Sequence, residues 1–177
     1  MIKDLNFLER SMLFAKLSNI AYRNPKRATR DARNLGFDIT EFYELDGAQA
    51  YRFQSDTDMV IACRGTQPAE FNDISADLKA APVLAETVGR VHMGFKKEVD
   101  ELWPMVKEDL LDKTNESHTV WFTGHSLGAA MTTIMASRCE DDLEMPNIAE
   151  VYTFGSPRVG WKKYCNSLSI PHHRWVN

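Results

Sequence analysis

The stretch VWFTGHSLGAA, residues 120–130, restricts the fold more than any other in this chain. Apolar residues that favour β structure lead into it, and small residues compatible with a helix lead out. Between them stands Ser126, with Gly124 two residues before it and Gly128 two residues after. This G-x-S-x-G spacing has a mechanical cause. In a sharp strand-to-helix turn, side chains two residues either side of the serine would collide where strand and helix cross, and glycine removes both. The serine takes a strained backbone conformation that pushes Oγ clear of the sheet, and the helix that follows aims its positive end at the same point. Ser126 is therefore a candidate nucleophile. Five residues with three fixed are a weak pattern alone; the buried strand before it and the helix after it give it weight.

The remainder of the chain supplies the sheet that such a turn needs. Leu5, Leu8, Met12, Leu13, Ala15, Leu17 and Ile20 recur at helical spacing and predict an amphipathic helix over 4–22, ended by Arg23-Asn24-Pro25. PKRATRDARNLG reads as a second helix stopped near Gly36. Residues 37–53 alternate, with Asp46-Gly47 as a hairpin signal, and Met59–Cys63 is a continuous apolar run suited to a strand buried on both faces. Residues 67–90 are irregular. Phe95, Val99, Leu102, Trp103, Val106 and Leu110 mark a long helix, kinked or offset at Pro104. Strands at 119–123 and 151–154, a helix from the elbow to about Cys139, a short helix over Trp161–Leu168 and a strand opening in HHRWVN complete the pattern. Buried strands alternating with helices imply an α/β fold with a mainly parallel sheet covered by helices on both faces, and the early alternating strands imply an antiparallel edge.

Composition excludes several function classes. The 177 residues suit one domain with one core. A formal net charge of −4 gives no general reason to expect a nucleic-acid partner. Cys63, Cys139 and Cys165 are far apart and odd in number, which argues against a disulfide framework or a metal site; all three are expected as reduced, partly buried thiols, and no cofactor is expected. The N-terminal segment carries charges through its apolar residues, unlike a signal peptide, and no apolar run approaches the ~20 residues that span a bilayer. The default expectation is a cytoplasmic protein. Arg23, Lys26, Arg27, Arg30 and Arg33 form a basic cluster, read as a solvated helix face with contact to an anionic membrane as the other reading.

Cys63-Arg64-Gly65-Thr66 follows a buried strand, at the sheet end where α/β ligand sites form. Acyl transfer needs two backbone amides aimed at the oxyanion, one from the residue after the nucleophile and one from an earlier strand loop. Leu127 fits the first role and Thr66 the second. With IACRGTQ, VHMGF, FTGHSLGAA and VYTFGSPRVG in this order, the chain resembles the class 3 lipases, fungal-type triacylglycerol lipases of the α/β-hydrolase fold, over roughly residues 55–177. The resemblance implies Ser126 as nucleophile, Thr66 and Leu127 as oxyanion donors, and a lid or its hinge near 72–83, within 67–90.

In α/β-hydrolases the acid and then the histidine follow the serine. After Ser126 the carboxylates are Glu140, Asp141, Asp142, Glu144 and Glu150, and the histidines are His172 and His173. Asp141 and Asp142 lie about fifteen residues into the helix, roughly 20 Å away. Glu150 is expected before its strand, at the wrong end of the sheet; His172 and His173 begin a strand near the sheet edge and point to opposite faces. His92, in VHMGF, reads as a structural hydrogen-bonding residue, and His125 as one packed beneath the turn. In the family it resembles, a segment like HHRWVN is followed by the catalytic aspartate and later the histidine, so the resemblance implies an acid and a base beyond Asn177 and a fold incomplete at its C-terminal side. The leading expectation is a serine carboxylic-ester hydrolase acting on lipids through an acyl-enzyme on Ser126, with transient contact to a lipid surface. The alternative is a non-catalytic α/β-hydrolase-fold binding protein.

Overall fold

The computed structural model describes residues 1–65, 82–112 and 115–176. Polar caps set where its first two helices begin. In α1 (Phe7–Ile20), the Asn6 side chain accepts from the Glu9 amide at 3.0 Å while the Glu9 carboxylate accepts from the Asn6 amide at 2.9 Å. This reciprocal box starts the helix later than apolar periodicity predicts, and Ile2–Asp4 form a separate 3-10 turn. Asn24 caps α2 (Pro25–Arg33) by accepting from the Arg27 amide at 3.0 Å, and Pro25 takes the first helical position, where its missing donor costs nothing.

Asp46 (φ 49°) and Gly47 (φ 93°) both adopt left-handed backbone, the tight turn that matches the twist of paired strands. They join β1 (Ile39–Leu45) to β2 (Ala48–Gln54), which pairs antiparallel with β3 (Asp58–Cys63). Beyond β3 come β4 (Pro82–Leu84), β5 (Arg90–His92), α3 (Met93–Leu111), β6 (Thr119–His125), α4 (Leu127–Asp141), β7 (Ile148–Phe154), α5 (Lys162–Cys165) and β8 (His172–Trp175). The main sheet runs β1-β2-β3-β6-β7-β8, and its pairings from β3 to β8 are parallel. This is an α/β-hydrolase arrangement with the expected antiparallel edge.

The two faces of the sheet carry separate cores. α1 and α2 lie over Val60, Ala62, Trp121 and Tyr152; α3 and α4 lie over Met59, Ile61, Phe122 and Val151. Successive parallel strands laid down in one direction put their right-handed crossover helices on one face, as α3 and α4 are. Covering on both faces is why β3 is buried along its whole length. Asp58, at the start of β3, is 2% exposed and accepts from Trp121 Nε1 (2.9 Å), the Ile2 amide (3.1 Å) and Thr57 Oγ1 (2.8 Å), tying the N-terminal turn to the sheet.

Several elements differ from expectation. Residues 82–92 are not irregular: β4 and β5 pair as a hairpin whose Val91 is buried in the core. Tertiary contacts hold it, since Glu86 pairs with Lys96 and Arg138 at 3.1 Å each and Thr87 Oγ1 lies 3.0 Å from Ser137 Oγ. β7 starts at Ile148, so Glu150 lies inside the strand rather than before it. α5 spans four residues, much less than Trp161–Leu168. α3 continues through Pro104. Cys63 and Cys139 are buried, whereas Cys165 is exposed, because α5 presents it to solvent.

Candidate active site

Ser126 sits between β6 and α4 with φ 56° and ψ −126°. A serine before a helix ordinarily caps it by accepting from an early amide. Here the backbone twist turns the side chain elsewhere, and no side-chain cap forms. The main chain is fixed instead: the Ser126 amide donates to the Phe154 carbonyl at 3.0 Å, and its carbonyl accepts from Ala129 at 3.0 Å. Ser126 Oγ is buried, yet no hydrogen-bond partner for it exists among the described residues. A buried hydroxyl without a partner is costly, by about 1–3 kcal/mol, and such groups concentrate where chemistry needs them.

The glycines act as the spacing predicts. A Cβ on Gly124 would overlap the Gly128 carbonyl and stand 2.7 Å from Thr132 Oγ1. One on Gly128 would overlap the Cys63 carbonyl oxygen and stand 2.8 Å from the Arg64 carbonyl carbon. The first clash is strand against helix; the second is helix against the end of the neighbouring strand β3. α4 can therefore lie on β6 and β3 at once, clasped further by Thr132 Oγ1 donating to the Thr123 carbonyl at 2.7 Å. Leu127 opens α4. The first amides of a helix have no partner within it, so the Leu127 N–H faces the pole where negative charge is favoured. Thr66 lies outside the described residues. Gly65, just before it, packs against the elbow: its Cβ position is 2.6 Å from the His125 carbonyl oxygen and 3.3 Å from the Gly128 amide nitrogen.

Tyr22, which the sequence did not single out, completes this cluster. Its hydroxyl lies 2.8 Å from His125 Nδ1 and packs on Gly65, 2.5 Å from where a Cβ would stand. Burial raises the phenol above its ordinary value despite the opposing pull of Arg64 and Gly65, so it is a neutral hydrogen-bonding group. His125 is exposed rather than packed beneath the turn, with its ring edge-on to Tyr22. Nothing local in the sequence pairs residues 22 and 125; only the crossing of α1 over β6 does.

None of the other candidates hydrogen-bonds Ser126 Oγ among the described residues. His92 caps α3, accepting from the Gly94 amide at 3.2 Å, and stacks on Phe95. Asp142 pairs with Lys107 at 2.7 Å beyond the far end of α4, and Glu140 holds the Ser169 amide at 2.9 Å. Glu150 lies 3.1 Å from His173 Nε2 and 3.6 Å from Arg10. His172 lies 2.9 Å from Thr153 Oγ1 on the opposite face of β8, lining a cavity of 780 Å³ with Arg174, Tyr164 and Leu168 that does not reach Ser126. Among the described residues, then, no histidine–carboxylate pair engages the serine. No group of three or more potential ligands that could hold a metal occurs among them either. No helix among them is long and apolar enough to cross a membrane.

The model of the family described as "Lipase (class 3)" matches residues 60–177, two thirds of the chain. The chain belongs to the class 3 lipase family. Among curated relatives, toxin TseL of Vibrio cholerae is 33% identical over 108 residues, 59% of this chain and 16% of the toxin. Lipase ZK262.3 of Caenorhabditis elegans is 35% identical over 74 residues, 41% of this chain and 21% of that protein. Among solved structures, the propeptide complex of Rhizomucor miehei lipase superposes with a TM-score of 0.78 at 25% identity, covering 94% of this chain and 59% of that one. A fungal lipase–inhibitor complex superposes with a TM-score of 0.80 at 24% identity, over 99% of this chain and 71% of that one. The chain thus spans less than a quarter of the length of these two curated relatives and more than half of these structural ones.

Proposed function

We propose that this chain carries the nucleophile of a serine carboxylic-ester hydrolase acting on lipids. One observation carries the reading above the others: the strained Ser126, with an unpartnered Oγ, stands at the amide end of α4. Membership of the class 3 lipase family and the likeness to lipase structures support the substrate class. In the proposed first step Ser126 Oγ bonds to the ester carbonyl carbon and its proton passes to a base. The carbonyl oxygen becomes an oxyanion, held by the Leu127 amide and, as proposed from the sequence, by Thr66. The C–O bond to the alcohol then breaks, the alcohol leaves with the proton, and water repeats the sequence on the acyl-enzyme to release a fatty acid. The base and its orienting carboxylate are proposed to follow Ser126 in the order acid, then histidine. They are assigned to no described residue. A lid or its hinge is proposed near 72–83, of which 72–81 lie outside the described residues; the hairpin that begins at Pro82 is anchored by Glu86 and Thr87.

The lack of a histidine–carboxylate pair at Ser126 among the described residues keeps a second reading in play, a hydrolase-fold binding protein. A fluorophosphonate probe applied to the full-length protein separates the two. Labelling of the folded protein that disappears in Ser126→Ala supports the hydrolase. A folded protein that takes no label supports the binding module.

A further inference from the structure

We infer that the solvent face of the α1–α2 layer docks this protein on an anionic lipid surface. The biological sense of the inference rests on the lipid-hydrolase reading, but the contact itself needs no catalysis. α2 buries Ala28 and Ala32 against the sheet. At 100° per residue, Lys26, Arg30 and Arg33 fall within about 60° of one another on the opposite side. All three are exposed, and no carboxylate shares their face. Asp31, the single acid in residues 23–33, is turned aside and shared by Arg23, Arg27 and Arg30 at 3.2, 3.8 and 3.1 Å. Among the described residues Lys26 and Arg33 have no ion pair. Segment 23–33 holds five cations and one anion, a net +4 in a chain whose total is −4, so the remainder carries −8. A charge distribution this one-sided orients a protein on a negative surface and repels it in other poses.

In the same helix layer, α1 adds a feature that a nucleic-acid site would not need. Leu8 and Met12, one turn apart on its outer face, are 61% and 53% exposed. Exposed apolar side chains in one helix layer with a stripe of cations are the composition of a surface that rests in a lipid headgroup region. Position joins the patch to the site. Two residues past the end of α1, Tyr22 reaches the elbow through His125, and Tyr51 donates to the Arg23 carbonyl at 2.7 Å. From Lys26 to Arg33 the stripe covers about 10 Å, comparable with the Debye length at physiological salt, so its cations act on a surface together. A lipid surface held there lies at the rim of the pole where Ser126 waits.

The test measures sedimentation of the full chain, as Ser126→Ala so that no lipid is consumed, with vesicles of phosphatidylcholine alone and of phosphatidylcholine mixed with phosphatidylglycerol. Selective, salt-sensitive binding to the mixed vesicles is expected. Lys26→Gln/Arg30→Gln/Arg33→Gln should weaken it by at least about tenfold, given the per-charge attraction of such surfaces. Leu8→Ser/Met12→Ser should weaken it at constant charge, and Lys162→Gln/Lys163→Gln on α5 should leave it unchanged. Equal binding to both vesicle types, or full binding by both test variants, overturns the inference. Single-stranded DNA displacing the vesicles at equal phosphate concentration overturns the lipid assignment. Vesicle binding without fluorophosphonate labelling would leave docking intact and remove the hydrolase reading; labelling without vesicle binding would do the reverse.

Discussion

The hydroxyl of Tyr22 and Nδ1 of His125 are 2.8 Å apart, although 103 residues separate them in the chain. The same hydroxyl packs on Gly65, 2.5 Å from where a Cβ would stand, so one phenol joins the nucleophile turn to the loop that leads into Thr66. Its role is positional, because it reaches the reacting atom only through backbone. Tyr22→Phe removes the pin but keeps the ring. Stability should fall by about 1 kcal/mol or less, the net worth of an ordinary hydrogen bond, since exposed His125 can turn to water. Acylation of Ser126 should slow more, by roughly tenfold, because it depends on geometry held within a fraction of an ångström. Denaturant midpoints and fluorophosphonate labelling rates measure both. Equal rates in the two proteins would show that the elbow holds itself.

Glycine substitutions should have opposite effects at two positions. Gly128→Ala drives a Cβ into the Cys63 carbonyl, a backbone group that cannot swing aside, so α4 must lift from β3. A loss of about 2–4 kcal/mol is expected. At Gly94, in the first turn of α3, an added Cβ meets nothing nearer than the His92 ring at 3.5 Å. There alanine should gain about 0.5 kcal/mol through helix propensity and a less flexible unfolded chain. Thermal melts of the two variants check both signs.

What the sequence revealed divides along the range of the interactions. The elbow was legible because Gly124, Ser126 and Gly128 act within one turn, and their clashes follow from local geometry. The parallel strands were legible because burial on both faces leaves an unbroken apolar run, as at Met59–Cys63. The β4–β5 hairpin was not. Its strands are three residues each, too short to show a period, and Glu86 finds Arg138 only once α4 has packed. Asp58 reads as a polar residue ending a loop, yet it is a buried acceptor for both Trp121 and Ile2. Tyr22 reads as the frayed end of a helix. These residues take their meaning from partners far along the chain, which no periodicity encodes.

The thiols should react in two classes. Burial pushes the Cys63 thiol up to about 12 and raises Cys139 as well, so neither forms thiolate near neutral pH. Cys165 is exposed on α5. Since thiolate is the reactive species, a disulfide reagent should titrate one equivalent quickly in the native protein and three after denaturation. Cys165→Ser should abolish the fast phase. A fast phase that survives would mean that the packing of α4 on β3 opens readily.

His172 makes stability depend on pH below the ordinary range of a histidine. Burial first, then the neighbouring charges of Arg174 and His173, push its imidazole down to about 4. Unfolded, a histidine titrates near 6.5. Between those values the unfolded chain binds the extra proton and the native protein does not, so stability falls as pH drops from about 6.5 towards 4. The loss reaches about 3 kcal/mol at most, from a displacement of two to three pH units. Carboxylates contribute lower down. Asp100, although partly buried, is held below its ordinary value by Lys96 and Arg138, and Asp142 by Lys107, so their losses begin below about pH 4. His172→Gln preserves a group able to bond Thr153 Oγ1, which lies 2.9 Å from the imidazole, and removes the titration. Denaturant unfolding across this range should give a shallower decline for the variant than for the parent, the remainder coming from His125, which burial also holds below its ordinary value. Parallel declines in both would place the acid sensitivity on another group and leave His172 merely packed at the sheet edge.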